Sequence, residues 1–238
     1  MATTTADPTL IQQLVKDAGF EVLETATLQG RTASHAQVPG TLDPRVVATL
    51  EGAHPQGLYS HQTEALAAVT RGEDICLATS TASGKSLVFM AAGLNIVLRD
   101  RFARIVALYP AKALIQDQLD KWHRLLDPFG IRIGVIDGSV PTEQRAEILA
   151  TSRVVLMTPD VTHAWLMNHA NDHRTREFLR SVRLLILDEA HVYDGVFGTN
   201  MAYFLRRLSA VTARCQLIAS TATIGDAPLS EPGRRCAP

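Results

Sequence analysis

The stretch Thr79-Ser80-Thr81-Ala82-Ser83-Gly84-Lys85-Ser86 decides the fold. The apolar run 75–78 before it is typical of a buried strand, and residues 87–92 after it are typical of the start of a helix. A loop of small residues at such a junction lets backbone N–H groups approach phosphate oxygens, and the helix N-terminus adds its positive dipole end. Lys85 adds a charge for the β- and γ-phosphates, and Ser86 can ligate Mg²⁺. The segment therefore predicts a nucleotide phosphate loop, with a Ser/Gly-rich turn and a solvated lysine as the alternative for this segment alone.

A second run, Leu184-Leu185-Ile186-Leu187-Asp188-Glu189-Ala190-His191, predicts a central parallel strand that ends in two acids. Ligands of open α/β sheets bind at the carboxyl ends of the strands, and a buried strand tolerates no charge in its body. Asp188 can hold Mg²⁺ opposite Ser86, and Glu189 can orient and deprotonate an attacking water. Strand-terminal acids also begin turns or cap helices, but the phosphate loop upstream favours the nucleotide site.

The rhythm of the chain after Gln62 alternates between strands and helices. Further strands are predicted near 105–109, 131–136, 154–157 and 217–219, with longer periodic segments such as 111–126 and 201–211 between them. This alternation predicts an α/β fold with a parallel sheet covered by helices on both faces. Asp7-Pro8 predicts the start of a helix, and Gly19 predicts its end. Residues 20–55 are irregular and turn-rich.

Several motifs between these segments carry a family resemblance. These are Leu58-Tyr59-Ser60-His61-Gln62, Tyr109-Pro110-Ala111-Lys112-Ala113-Leu114, Ile136-Asp137-Gly138-Ser139, Thr158-Pro159-Asp160 and Thr221-Ala222-Thr223-Ile224. In this order they resemble the Q motif, motif Ia, the glycine motif, motif Ib and motif III of a superfamily 2 helicase with a D-E-A-H box, whose phosphate loop here has Thr79 at its usual first glycine. The stretch 191–198, together with Thr81-Ala82-Ser83, is most similar to the MrfA-like DEAD/DEAH-box DNA helicases, which are associated with DNA repair.

The resemblance implies a RecA-like P-loop NTPase domain that binds ATP and Mg²⁺. By this resemblance Gln62 would contact the edge of adenine, and Lys85 and Glu189 would be catalytic. The residues that would couple ATP to nucleic acid are His191, Thr221 and Thr223. The resemblance places the motif III strand between the phosphate-loop strand and the D-E-A-H strand. The remaining positions, Pro110, Lys112, Gly138 and Thr158, would bind the nucleic-acid backbone, DNA in preference to RNA. From the residues alone, the alternative for Gln62 is a polar residue on a helix surface, and the alternative for Lys112 is an exposed lysine at a helix start.

The motifs divide the chain into an N-terminal extension (1–55), a helicase ATP-binding domain (56–225) and a disordered tail (226–238). Residues 225–238 contain three prolines, two glycines and no apolar periodicity. The family continues into a second RecA-like domain with arginine fingers, which would be a separate partner here. Hydrolysis by this chain alone is therefore expected to be slow.

Length, composition and charge limit the size of the domain, its location and its partners. At 238 residues and 46% hydrophobic, the chain can bury one RecA-sized core. The sequence shows no apolar span for a membrane and no signal peptide, and its three scattered cysteines suggest neither disulfides nor a metal site, so a cytoplasmic location is expected. A net charge of −1 does not indicate nucleic-acid binding, although a local basic patch would suffice.

Three functions fit these observations. The first is the motor half of an ATP-dependent nucleic-acid helicase, and the second is a nucleic-acid-stimulated ATPase that translocates without unwinding. The third is a truncated remnant that binds nucleotide or nucleic acid without catalysis. Trp122 and Trp165 could stack on bases, but each lies in an amphipathic segment, which favours core packing.

Overall fold

The computed structural model describes residues 17, 34–79, 83–212 and 215–222. The chain divides into two compact units, Met1–Ser34 and His35–Pro238, and every element with defined bounds belongs to the second. The helix predicted from Asp7 lies outside the described residues, residue 17 apart. The tail 226–238 and the site positions Ser80, Thr81, Ala82 and Thr223 also lie outside them.

Strands and helices alternate along most of the described chain. The strands are β1 (His35–Ala36), β2 (Leu58–Tyr59), β3 (Ile75–Thr79), β4 (Arg104–Leu108), β5 (Ile133–Ile136), β6 (Val154–Met157), β7 (Val182–Leu187) and β8 (Gln216–Ala222). The helices are α1 (Pro44–Ala53), α2 (Ser60–Thr70), α3 (Lys85–Arg99), α4 (Lys112–Leu126), α5 (Thr142–Thr151), α6 (Pro159–Val161, continued by a π-turn over Thr162–Leu166), α7 (His173–Ser181) and α8 (Gly195–Val211). Short 3₁₀ turns cover Asp127–Phe129 and Ala190–Val192.

Six of these strands form one sheet in the order β3-β8-β7-β4-β6-β5, and every neighbouring pair is parallel. The predicted α/β fold is confirmed. The predicted position of the motif III strand is also confirmed, since β8 lies between β3 and β7. All parallel strands point their carboxyl ends to one edge, so the loops after them meet along that edge.

One hydrophobic core lies on each face of the sheet, between the strands and the helices. Ile105 and Ala107 of β4 belong to the core that α1–α4 cover, whereas Val106 and Leu108 belong to the core that α5–α8 cover. This division explains why the inner strands β4, β6 and β7 contain continuous aliphatic runs and not alternating ones. Trp122 and Trp165 are 0% and 7% exposed, and they pack into the first and second core, which confirms core packing for both.

Two helices differ from the sequence-based expectation. α1 lies in the stretch interpreted as turn-rich, where Asp43 accepts a hydrogen bond from the Arg45 N–H (3.0 Å) and Val46 and Leu50 enter the first core. α8 begins at Gly195, six residues before the predicted periodic segment. The prediction missed these first turns because they contain two glycines, which are poor helix formers. A Cβ at Gly198 would lie 2.5 Å from the Tyr193 carbonyl oxygen, so glycine permits this close approach. The predicted domain boundaries stay a prediction.

Candidate ATP and nucleic-acid site

The phosphate loop follows β3, and its described residues close on themselves. The Thr79 and Ser83 hydroxyl oxygens lie 2.5 Å apart across the base of the loop. Gly84 adopts φ +77° immediately before α3, a conformation that L side chains rarely adopt. Lys85 donates from Nζ to the Thr79 carbonyl oxygen at 2.7 Å. The ammonium group and the N-terminus of α3 therefore meet at the loop, as phosphate binding requires.

Two residues of α2 hold the same loop from the side. Gln62 is 3% exposed, and its Nε2 donates to the Gly84 carbonyl at 3.1 Å and to the Ser83 carbonyl at 3.4 Å. Its Oε1 accepts from the Tyr59 N–H at 3.0 Å, and His61 Nε2 lies 3.1 Å from the Ser83 carbonyl oxygen. Gln62 is therefore a buried bridge between α2 and the loop, and the alternative of a surface residue is wrong.

The two acids of the D-E-A-H segment occupy different environments past the end of β7. Asp188 is 7% exposed, and its N–H extends the ladder to the Leu108 carbonyl at 3.0 Å. Its Oδ1 accepts hydrogen bonds from the Ser220 hydroxyl and from the Glu189 N–H, the latter at 3.1 Å. These bonds fix the orientation of the Asp188 carboxylate and leave its Oδ2 side for another ligand.

Glu189 combines an unusual backbone with a poorly satisfied side chain. Its φ of +51° is the one positive φ of a non-glycine residue in the described ranges. Such conformations cost about 1–3 kcal/mol and concentrate at functional sites. Glu189 Oε2 is enclosed and lies 3.3 Å from His191 Nδ1, but without the alignment of a hydrogen bond.

His191 connects this acid to the motif III strand. Its Nδ1 lies 3.4 Å from the Thr221 hydroxyl oxygen, and Thr221 is almost fully buried near the end of β8. Thr79, Asp188 and Thr221 thus lie at the ends of the adjacent strands β3, β7 and β8. Thr223, the other predicted coupling residue, lies outside the described residues.

Oxygen donors at this edge suit magnesium. Mg²⁺ prefers octahedral oxygen ligands and usually takes only one or two carboxylates, with water and phosphate oxygens filling the other positions. Asp188 presents a carboxylate held on one oxygen, and Ser86 is the second residue of α3, directly after Lys85. No group of three or more His, Cys, Asp and Glu residues that could hold a metal occurs in the ranges the structure describes. The donor set therefore fits a cation shared with a nucleotide and not an all-protein cage.

The predicted nucleic-acid residues follow the other three strands of the sheet. Lys112 and Gly138 follow β4 and β5, and Lys112 Nζ lies 3.5 Å from Asp137 Oδ1 and within 3.9 Å of the space a Cβ on Gly138 would occupy. Pro110 is half-buried beside them, and Lys112 is exposed. Thr158, after β6, is only 7% exposed, and its carbonyl accepts hydrogen bonds from the N–H and the hydroxyl of Thr162. The structure thus brings Lys112 and Gly138 together, whereas the Thr158 side chain is buried.

Asp137 places a negative charge beside the Lys112 ammonium group. Burial raises the pKa of Asp137, but hydrogen bonds from the Ser139 hydroxyl and N–H and the charge of Lys112 outweigh it, so the pKa is lowered. Asp137 therefore stays ionised at neutral pH and holds Lys112 in place. Asp137, His61 and Ser220 were not among the predicted site residues. The first two lie inside the quoted motifs, but Ser220 directly precedes motif III and has no sequence signal of its own.

Comparison with known proteins places these features in a family. Residues 59–231 match the sequence model of DEAD/DEAH box helicases. The chain is 32% identical over 211 residues to the ATP-dependent helicase HRQ1 of Saccharomyces cerevisiae, which covers 86% of this chain. It is 31% identical over 205 residues to the uncharacterized ATP-dependent helicase YprA of Bacillus subtilis, which covers 84% of this chain. The fold is similar to the crystal structure of the DUF1998 helicase MrfA bound to DNA, with a TM-score of 0.80 and 29% identity over 90% of this chain.

These proteins are much longer than the present chain. It spans 19% of HRQ1, 27% of YprA and 32% of the MrfA chain. The similarity therefore concerns one part of each relative. Among the described residues, no helix combines the length and the apolar character that a membrane crossing would need.

Proposed function

The chain belongs to the DEAD/DEAH box helicase family, and from that premise we propose that it is the ATP-binding half of an ATP-dependent DNA helicase motor. The observation that carries the proposal is the meeting of Lys85, Asp188 and Thr221 at the carboxyl ends of three adjacent strands. A phosphate loop, a metal-binding acid and a coupling hydroxyl at one edge support phosphoryl transfer to water.

In this proposal each residue at the edge has a separate task. The loop of residues 79–86 binds the phosphates of ATP, and Lys85 exchanges the Thr79 carbonyl for the β- and γ-phosphates. Ser86 and Asp188 would hold Mg²⁺, which would neutralise charge on those phosphates when bound. Glu189 accepts a proton from the attacking water, because its Oε2 is enclosed and lacks an aligned hydrogen-bond donor.

Gln62 would contact adenine while it holds the loop. A side-chain amide has two N–H donors and two acceptor lone pairs. The bonds to Tyr59, Gly84 and Ser83 use one lone pair and both donors. Adenine would take the free lone pair and replace the Ser83 carbonyl, whose bond is the longer one at 3.4 Å, and the bridge to Gly84 would transmit occupancy to the phosphate loop.

The coupling step would pass through His191. His191 lies within 3.4 Å of both the Glu189 carboxylate and the Thr221 hydroxyl. A change in the charge around Glu189 would therefore shift His191 relative to β8. Thr221, with Thr223 after it, would pass that shift on towards the nucleic-acid half of the sheet.

The nucleic-acid backbone would contact the ends of β4, β5 and β6. Lys112 supplies the exposed charge, Gly138 a close backbone approach and Pro110 a flanking surface, whereas the buried Thr158 would act through the backbone turn after β6. The similar MrfA helicase was crystallised bound to DNA, which supports DNA over RNA as the partner. We further propose a cytoplasmic location and a separate second RecA-like domain as a partner.

Single-turnover ATP hydrolysis with and without nucleic acid tests this function. The purified chain should hydrolyse Mg-ATP slowly, with greater stimulation by single-stranded DNA than by RNA of the same length. Glu189→Gln should remove the hydrolysis and retain ATP binding. Binding of ATP without any hydrolysis, with DNA and with the second domain added, would identify a nucleotide-binding remnant instead. Stimulation without strand separation in a duplex assay with both domains would identify a translocase.

A further inference from the structure

A cavity of about 240 Å³ lies between α6 with its π-turn and α8, beyond the ATP-site residues, and two residues of motif Ib, Pro159 and Asp160, help to line it. Its inner wall is apolar and contains Pro159, Phe197, Met201 and Phe204. Met201 and Phe204 are 5% and 1% exposed, so they form a fixed floor that belongs to the second core. The cavity is smaller than the range of about 300–1,000 Å³ that takes drug-sized ligands. It suits one flat ring and not a whole nucleotide cofactor.

The rim of the cavity is polar and exposed. Asp160, His163 and Asn200 surround it with a carboxylate, an imidazole and an amide. His163 packs edge-on against Phe204, with ring centroids 6.2 Å apart and planes at 78°. A nucleobase stacks through the plane of its ring and forms hydrogen bonds through its edges. An apolar floor with hydrogen-bonding groups at the rim matches both properties.

The surface of α8 beside the cavity is aromatic and basic. Tyr203 is 64% exposed, and Arg206 and Arg207 follow it one helical turn later, both exposed. Arg207 Nη1 lies 3.3 Å from His163 Nε2, so the basic surface continues to the rim. An exposed aromatic ring beside two guanidinium groups is the arrangement that single-stranded nucleic acids bind, since rings stack on bases and arginines contact phosphates.

The cavity also lies in line with the nucleic-acid residues proposed above. Pro159 follows Thr158 at the end of β6, and β6 lies between β4 and β5 in the sheet. A strand that passes Lys112 and Gly138 at the ends of those neighbours reaches the mouth of the cavity at Asp160. Its phosphates would then face Arg206 and Arg207.

We propose that this cavity binds one unstacked base of a single-stranded nucleic acid, a proposal that rests on the nucleic-acid binding proposed for Lys112 and Gly138. The base inserts against Phe197 and Phe204, and its edge bonds to Asp160 and Asn200. The backbone outside the cavity contacts the basic turn of α8. The site adds affinity for bases to an interface that otherwise contacts the backbone.

Fluorescence anisotropy with two labelled strands separates bases from backbone. One strand is a single-stranded oligonucleotide of mixed sequence, and the other has the same length with abasic sites throughout its centre. Wild type should bind the intact strand about fivefold to a hundredfold more tightly, the range expected for one stacked base. Ala164→Trp fills the cavity from an exposed position at its edge and should abolish this preference. Asn200→Ala should reduce the preference without filling the cavity.

Two controls give each outcome a single meaning. Ala202→Trp adds the same bulk at an exposed α8 position that does not line the cavity, and it should keep the preference. Lys112→Ala should weaken both strands equally. If wild type binds both strands equally and Lys112→Ala still weakens the binding of both, the cavity site is overturned and the proposed function stands. A change of oligomeric state in Ala164→Trp without an effect on the preference would assign the groove to a second copy and overturn the proposal. No binding of either strand overturns both proposals.

Discussion

The Ser220 hydroxyl donates a hydrogen bond to Oδ1 of Asp188, and both residues are buried between β7 and β8. This bond links the motif III strand to the acid that we assign to magnesium. It also fixes which carboxylate oxygen remains for a cation. The position of Asp188 therefore depends on its neighbour in the sheet as well as on its own strand.

Ser220→Ala should raise the Mg²⁺ concentration that half-saturates ATP binding, because Asp188 loses one of the bonds that orient it. A hydrogen bond to a charged group contributes about 1.5–3 kcal/mol, and we expect a several-fold shift because the Glu189 N–H still holds the same oxygen. Fluorescent-nucleotide titrations over a range of Mg²⁺ concentrations measure it. Ser209→Ala is the matched control, because that hydroxyl bonds to the Arg206 carbonyl on the exposed side of α8. An equal Mg²⁺ dependence in Ser220→Ala and Ser209→Ala would contradict the orienting role.

Gly84→Ala should destabilise the protein and weaken ATP binding. Its φ of +77° disfavours any side chain by about 1–2 kcal/mol, and a Cβ would also collide with the Gln62 amide. Gly72→Ala separates the two effects, since Gly72 has φ +82° and a Cβ added there would meet no atom within 4 Å. Urea unfolding should therefore show a larger loss for Gly84→Ala than for Gly72→Ala. The excess should shrink in a Gln62→Ala background, and equal losses in the two glycine variants would disprove the collision.

Asp43 predicts a specific acid dependence of stability. The Arg45 side-chain hydrogen bond lowers the pKa of Asp43 from its ordinary 3.8 to about 2, against the opposing effect of burial. Because the folded pKa is the lower one, the pair stabilises the protein above about pH 4, and that contribution is lost as the pH falls towards 2. Asp43→Asn keeps a capping side chain at α1 and removes the charge. The unfolding free energies of wild type and Asp43→Asn should differ by about 1–2 kcal/mol at pH 6 and converge near pH 2. A difference that stays constant across this range would exclude the ion pair as its cause.

The sheet was predictable because its inner strands β4, β6 and β7 are buried on both faces and so consist almost entirely of aliphatic residues. β6 runs over Val154–Met157, as predicted, β3 is one residue longer than predicted at its C-terminal end, and β4 is shifted by one residue toward the N-terminus. The missed helix α1 is short, and its apolar face contributes only two fully buried residues, Val46 and Leu50. Its Asp43-Pro44 start is the same signal that predicted the helix at Asp7-Pro8.

The contacts between motifs could not be read from the sequence in the same way. Lys112 and Asp137 are far apart along the chain, and they meet only because β4 and β5 end at one edge on either side of β6. Ser220 was missed because a single serine inside a strand-like run has no periodic signature. Gln62 was expected to contact adenine, but its bridge to the loop depends on how α2 packs against α3.

Calorimetric titration of Mg-ATP into wild type, Lys85→Ala, Glu189→Gln and Lys112→Ala tests the central claim most directly. Loss of one charge-assisted phosphate contact should weaken binding by Lys85→Ala about tenfold to a hundredfold. Glu189→Gln and Lys112→Ala should bind ATP as wild type does, because neither residue is assigned to the phosphates. Equal ATP affinity in wild type and Lys85→Ala, with both proteins folded, would contradict the nucleotide site.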